Sequence, residues 1–87
     1  MPSQTIKLDQ DRRSFVTAVD DDSHLTCIKT SAPDVYTRGV LKDEQQDLRP
    51  GESMIVKAGS TVTVRLFRTK SGDEPFSAEL SLAPKGG

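Results

Sequence analysis

Apolar residues recur at every second position along much of this chain. In 60–67, "STVTVRLF", Val62, Val64 and Leu66 fall on one side and Thr61, Thr63 and Arg65 on the other. In 76–82, "FSAELSL", Phe76, Ala78, Leu80 and Leu82 alternate with Ser77, Glu79 and Ser81. In 52–58, "ESMIVKA", Met54, Val56 and Ala58 alternate with Ser53, Ile55 and Lys57. A period of two predicts strands with one covered face and one wet face, because successive side chains leave a pleated backbone on opposite sides. The β-branched residues among them suit that surface.

The first half carries the same signal more weakly. "QTIKL", 4–8, sets Ile6 and Leu8 together. "RSFVTAV", 13–19, is apolar on both faces, as expected of a strand covered twice or of an interface strand. "HLTCIKT", 24–30, has Leu25 and Cys27 on one side and Ile28 on the other. "DVYTRGVLK", 34–42, follows Pro33 and carries Gly39, which predicts a bulge there. The acidic run Asp20-Asp21-Asp22, Ala32-Pro33-Asp34, Pro50-Gly51, Ala58-Gly59-Ser60 and "KSGDEP", 70–75, read as turns.

Pairing 52–58 with 60–67 as a hairpin fixes a register. A three-residue loop of Ala58, Gly59 and Ser60 opposes Val56 with Val62 and Met54 with Val64, so like faces meet; a two-residue loop mixes them. No helical stripe of a dozen positions exists; "KDEQQDL", 42–48, is short, has no apolar face and reads as a turn or loop. The prediction is therefore all-β: a small single-domain antiparallel sandwich or barrel of about seven short strands over residues 1–87, with flexible tails at 1–3 and 83–87.

Composition narrows the function classes. Hydrophobic residues make up 33% of the chain, with no Trp, one Tyr and three Phe, which is lean for an isolated small domain and favours burial shared with a partner or a second copy. Lys plus Arg number 12 against 13 Asp plus Glu, without a basic stripe, so neither nucleic acid nor an anionic membrane surface is an expected partner. The N-terminal "MPSQTIKLDQ" lacks the apolar run of a signal peptide, and no segment has the ~20 apolar residues of a membrane span. The expected location is the cytoplasm, or a virion if the chain comes from a phage.

The search for chemistry returns little. Cys27 is the only cysteine, so no internal disulfide forms, and its apolar neighbours predict a buried thiol rather than a reactive one. His24 is the only histidine, which rules out a Cys/His zinc site and leaves a strand-start residue as the simpler reading. Asp20-Asp21-Asp22 offers oxygen ligands for Ca²⁺ but lacks the spacing of a calcium loop and reads as a turn. Phosphate-cradling glycine motifs and a nucleophile elbow are absent from the sequence. No catalytic residue, cofactor or metal is expected.

The passage "LRPGESMIVKAGSTVTVRL", 48–66, resembles the strand-turn-strand segments of small immunoglobulin-like β-sandwich modules. A compact β chain without signal peptide, cysteine pair or catalytic set also resembles the decoration, or cement, proteins of tailed-phage capsids. That resemblance rests on about a fifth of the chain, carries over no functional residue, and implies a structural protein, often trimeric, that seats on a capsid lattice and binds coat subunits. The expected function is a non-enzymatic structural or protein–protein interaction module, with virion decoration its most specific form and homo-oligomerisation expected. A small ligand- or carbohydrate-binding module and a small intracellular inhibitor are the alternatives. Contacts are expected through the N-terminal segment with Ile6 and Leu8, through Tyr36, Val40 and Phe67, and through a polar rim of Arg12, Arg13 and Arg65.

Overall fold

The computed structural model describes residues 3–72 and 74–85. Eight strands follow one another: β1 Gln4–Asp9, β2 Ser14–Ala18, β3 Ser23–Thr30, β4 Val35–Val40, β5 Gln45–Leu48, β6 Ser53–Val56, β7 Thr61–Arg68 and β8 Ser77–Pro84. They form two four-stranded antiparallel sheets, in the orders β1-β8-β3-β6 and β2-β7-β4-β5. The pairings nest. β1 pairs with β8, β2 with β7, β3 with β6 and β4 with β5. The chain is thus one long antiparallel ribbon folded over on itself, and this is the strand order of a jelly roll. An immunoglobulin-type sandwich orders its strands differently, ABED against CFG.

The alternation in the sequence becomes the core. Ile6 and Leu8 on β1, Leu25 and Cys27 on β3, Met54 and Val56 on β6, and Ala78, Leu80 and Leu82 on β8 point inward from one sheet. Val35 on β4, Leu48 on β5 and Val62, Val64 and Leu66 on β7 meet them from the other. Thr37 is the polar member of this layer, and its Oγ1 donates to the Leu48 carbonyl at 2.9 Å, so the buried hydroxyl is satisfied and β4 is tied to β5. The open end near Phe76 is closed by arginines. Arg13 and Arg68 lie over the Phe76 ring at 4.9 and 5.0 Å, and Arg68 Nε stands 3.5 Å from Asp34 Oδ2.

Several expectations change. The passage at 52–67 is not a hairpin. β6 belongs to one sheet and β7 to the other, and the turn between them arches across the sandwich. Ser60 N–H donates to Lys57 O at 3.1 Å, Gly59 N–H to Val19 O at 2.8 Å and Ala58 N–H to Asp22 Oδ1 at 2.8 Å. Gly59 takes a φ of 84°, which a side chain would resist. Agreement of faces holds equally for two strands that confront each other across a core, so it does not tell an arch from a hairpin.

Gln45–Leu48 is a strand rather than a loop: it is an edge strand with only Leu48 buried, which a polar sequence satisfies. Gly39 sits in unbroken register between Val64 and Gln46. A Cβ there would collide with Met54 Sδ and approach Leu25 Cδ2 at 3.2 Å, so close packing between the sheets accounts for the glycine. The bulge lies in β3 instead, between Cys27 and Lys29, and turns Ile28 outward. Ala83 and Pro84, expected in a tail, pair with His24 and Ser23. Of the two expected tails, Met1, Pro2, Gly86 and Gly87 lie outside the described residues, as does Asp73 of the expected 70–75 turn.

Two outcomes check this core. Leu80→Ala, at a fully buried site of the central strand β8, should cost about 2–5 kcal/mol in urea unfolding, while Glu79→Ala on the outward face should stay within about 0.5 kcal/mol. Burial pushes the Cys27 thiol pKa up from its ordinary 9.0, with Thr37 opposing and Glu52 adding to the rise. The folded state therefore holds this proton more tightly than the unfolded chain. The resulting stability is complete below the unfolded value and fades as pH climbs from 9.0 through the higher folded value. Between neutral pH and strongly alkaline pH the wild-type urea midpoint should fall further than that of Cys27→Ala.

Candidate functional site

The outward face of the β2-β7-β4-β5 sheet gathers large side chains. Parity puts them there: on β4 and β7 the odd and even positions respectively fill the core, so Tyr36, Arg38 and Val40 and then Thr63, Arg65 and Phe67 turn out. Tyr36 is directly opposite Phe67, Arg38 opposite Arg65 and Val40 opposite Thr63. The two rings stack with centroids 5.5 Å apart and planes 19° from parallel. Arg38 lies over Phe67 at 4.8 Å and Arg49 over Tyr36 at 5.3 Å, giving a row of guanidinium, ring, ring and guanidinium.

β5 and β2 extend this face on either side. Asp47, opposite Arg38, accepts from its Nε at 2.6 Å and raises the guanidinium pKa further. On β2, Val16 lies opposite Thr63 and is 60% exposed, the most exposed large hydrophobic side chain among the described residues. The face therefore carries an aromatic centre, three arginines against one aspartate, and an apolar line of Val40, Thr63 and Val16.

The expected contact residues divide into three groups. Tyr36, Val40, Arg65 and Phe67 come together on this face. Arg12 and Arg13 sit at the β1–β2 turn, where Arg12 lies 6.0 Å from the Phe15 ring and Arg13 covers Phe76. Ile6 and Leu8 are core residues, 2% and 1% exposed, because they are the apolar pair of a strand whose other face is polar. Arg38, Arg49 and Val16 were missed. Arg38 shares parity with Tyr36 and was open to discovery by that rule, whereas Arg49 reaches Tyr36 from beyond the end of β5, and no periodicity signals it.

The other candidates have structural work. Asp22 binds Ala58 N–H through Oδ1 and Lys85 N–H through its carbonyl, and the Asp21 carbonyl accepts from Ser23 Oγ at 2.8 Å. Among the described residues no group of three His, Cys, Asp or Glu is placed to hold a metal ion. His24 is exposed on β3 between Ile55 and Ala83. A surface depression of about 460 Å³ lies beside the β3 bulge and its lining includes Lys7, Lys29, Glu79 and Asp9, whose charges offset one another. Among the described residues no helix is long and apolar enough to cross a membrane. Comparison of the chain with protein-family models, with curated proteins and with solved structures finds no match.

Loss of the stacked pair should be tolerated by the fold. Tyr36→Ala should lower stability by about 1 kcal/mol, a fall in Tm of roughly 4–8 °C, with the β-type circular-dichroism spectrum retained. Global unfolding on this change would place Tyr36 in the core instead.

Proposed function

We propose that this protein is a non-enzymatic contact module that works by laying the outward face of the β2-β7-β4-β5 sheet on a protein partner. The observation that carries this reading is the contiguous row of Arg49, Tyr36, Phe67 and Arg38, with Arg65, Val40 and Val16 beside it, on a sheet whose inner face already supplies the core. Aromatic and arginine side chains are what contact surfaces concentrate, since they bury large area with little loss of rotamer freedom. Stacking removes part of that freedom in advance.

Other ligands fit the face less well. Each ring is stacked on the other and carries a guanidinium, so the ring surfaces that a sugar or a nucleobase would use are engaged within the protein. A net charge of −1 gives a polyphosphate chain no general attraction. Among protein partners, the coat subunits of a capsid are the first to test, because the resemblance noted above implies them; a jelly-roll fold by itself assigns no function. Assembly of the module with copies of itself belongs to the same reading.

The test compares three tagged chains in quantitative affinity capture from the native source: wild type, Phe67→Glu with Arg65→Glu, and Thr5→Glu on the outward face of the opposite sheet. A partner held by wild type and by Thr5→Glu should drop by at least about tenfold with the double variant, whose fold is checked by circular dichroism. Equal retention by all three, or no protein retained by wild type, would remove the face from consideration.

A further inference from the structure

The second feature of this sheet is its β2 edge. β2 pairs with β7 on one side, and among the described residues no strand pairs with it on the other. Arg13 O accepts from Leu66 N–H at 2.7 Å and Val19 N–H donates to Ser60 O at 3.0 Å, so the odd-numbered residues bond toward β7. In an antiparallel ladder the alternate residues bond the other way. Arg12 does so, exchanging bonds of 3.0 and 3.1 Å with Asp9 at the β1–β2 turn. Beyond that point β1 departs into the other sheet; the N–H and C=O groups of Ser14 and Val16 and the N–H of Ala18 turn to open space, and Ala18 O accepts only from its neighbour Thr17 Oγ1 at 3.5 Å.

Most natural edges are guarded by charge, proline or a bulge. β1 carries Lys7, β5 carries Asp47, and the Ser53 carbonyl on β6 accepts from Gln46 Nε2 at 3.2 Å. β2, with the sequence SFVTA, has none of these. Its charges stand outside the strand: Arg12 and Arg13 before it, Asp20 after it.

We propose that β2 is a self-pairing edge: two copies of the chain join antiparallel along it, about a two-fold axis at Val16. In this register Ser14 of one copy faces Ala18 of the other, Phe15 faces Thr17, and Val16 faces itself, so no charge meets a like charge within the ladder. Extended past its ends, the same register carries Arg12 of each copy toward Asp20 of the other. A slip of two residues either way shortens the ladder and separates Arg12 from Asp20, though one of the slips brings Arg12 toward Asp22 instead, so the pairing is specified by length. Two four-stranded sheets become one sheet across the axis. Val16, Thr63 and Val40 continue into their counterparts, and the two arginine-aromatic rows lie on one surface. The interface is isologous and closes on itself. So short a ladder buries an area at the low end of specific interfaces, which makes the dimer reversible and concentration dependent.

The full chain is tested by sedimentation over about 10 μM to 1 mM. A rise from the monomer mass to twice that mass is expected; a monomer throughout would overturn the proposal, as would an assembly unaffected at Val16. Val16→Lys and Val16→Glu each set like charges against each other at the axis and should raise the dissociation constant by at least about tenfold, with folding verified by circular dichroism. Mixing the two should restore a dimer containing one of each. The register has its own readout. Val16→Cys should cross-link on mild oxidation, because opposed residues of a hydrogen-bonded pair lie about 5.5 Å apart, within disulfide range. Ala18→Cys should not, because the two positions lie about 13 Å apart along the strands. Efficient cross-linking of Ala18→Cys without Val16→Cys would overturn the pairing. These variants leave Phe67 and Arg65 in place, so failure here and failure of the face to hold a partner are read separately.

Discussion

A single layer of aliphatic side chains between two sheets supports everything else in this molecule. Among the described residues no helix covers either sheet, so each strand has one dry face and one wet face, and alternation follows. A slip of one residue in β7 would bring Thr63 and Arg65 inward and Val62 and Val64 outward. The same parity that fills the core decides what the protein displays. Tyr36 and Phe67 meet on the surface because Val35, Thr37 and Leu66 are committed beneath it.

How much could be read from residues alone depended on how one-sided each strand is. β7 and β8 alternate cleanly, and their inward sets, including Phe76 just before β8, were legible in full. β5 was illegible because an edge strand with one buried side chain, Leu48, has no period to detect. Connectivity was lost at Gly59 for a physical reason: a turn residue announces a reversal but not whether the chain returns within its sheet or crosses to the facing one. Nested pairing, with β2 meeting β7 and β3 meeting β6, depends on contacts between distant segments that no local pattern encodes. At the surface, parity correctly turned Tyr36, Val40, Arg65 and Phe67 outward, where Arg65 is exposed and the other three are half-buried. Parity also set Ile6 and Leu8 on one face, and that face is buried, since the strand has nothing else to offer the core; their side chains are not at the surface where contact was expected.

The arginines give the outward face its character. Arg38 is fixed by Asp47 on one side and by the Phe67 ring beneath it, and Arg49 is held over Tyr36. A planar guanidinium stacked on a ring keeps N–H groups directed to its edge, where a carboxylate or carbonyl can accept them. Such a group is already ordered before any partner arrives. At the far end of the sandwich, Arg13 and Arg68 do the opposite work, spending their planes on Phe76 to seal the core.

The position of β8 sets the order of events when the chain is made. It lies between β1 and β3, the seat that joins β1 to its sheet, yet it is made after the other seven strands. Until it has been made, β1 has no neighbour within its sheet and β3 pairs only with β6. The β2-β7-β4-β5 sheet can pair before then, but its inner face still lacks the cover of Ala78, Leu80 and Leu82. Closure of the core therefore waits for β8, and it is slow by the standards of chains whose neighbours in sequence are neighbours in space.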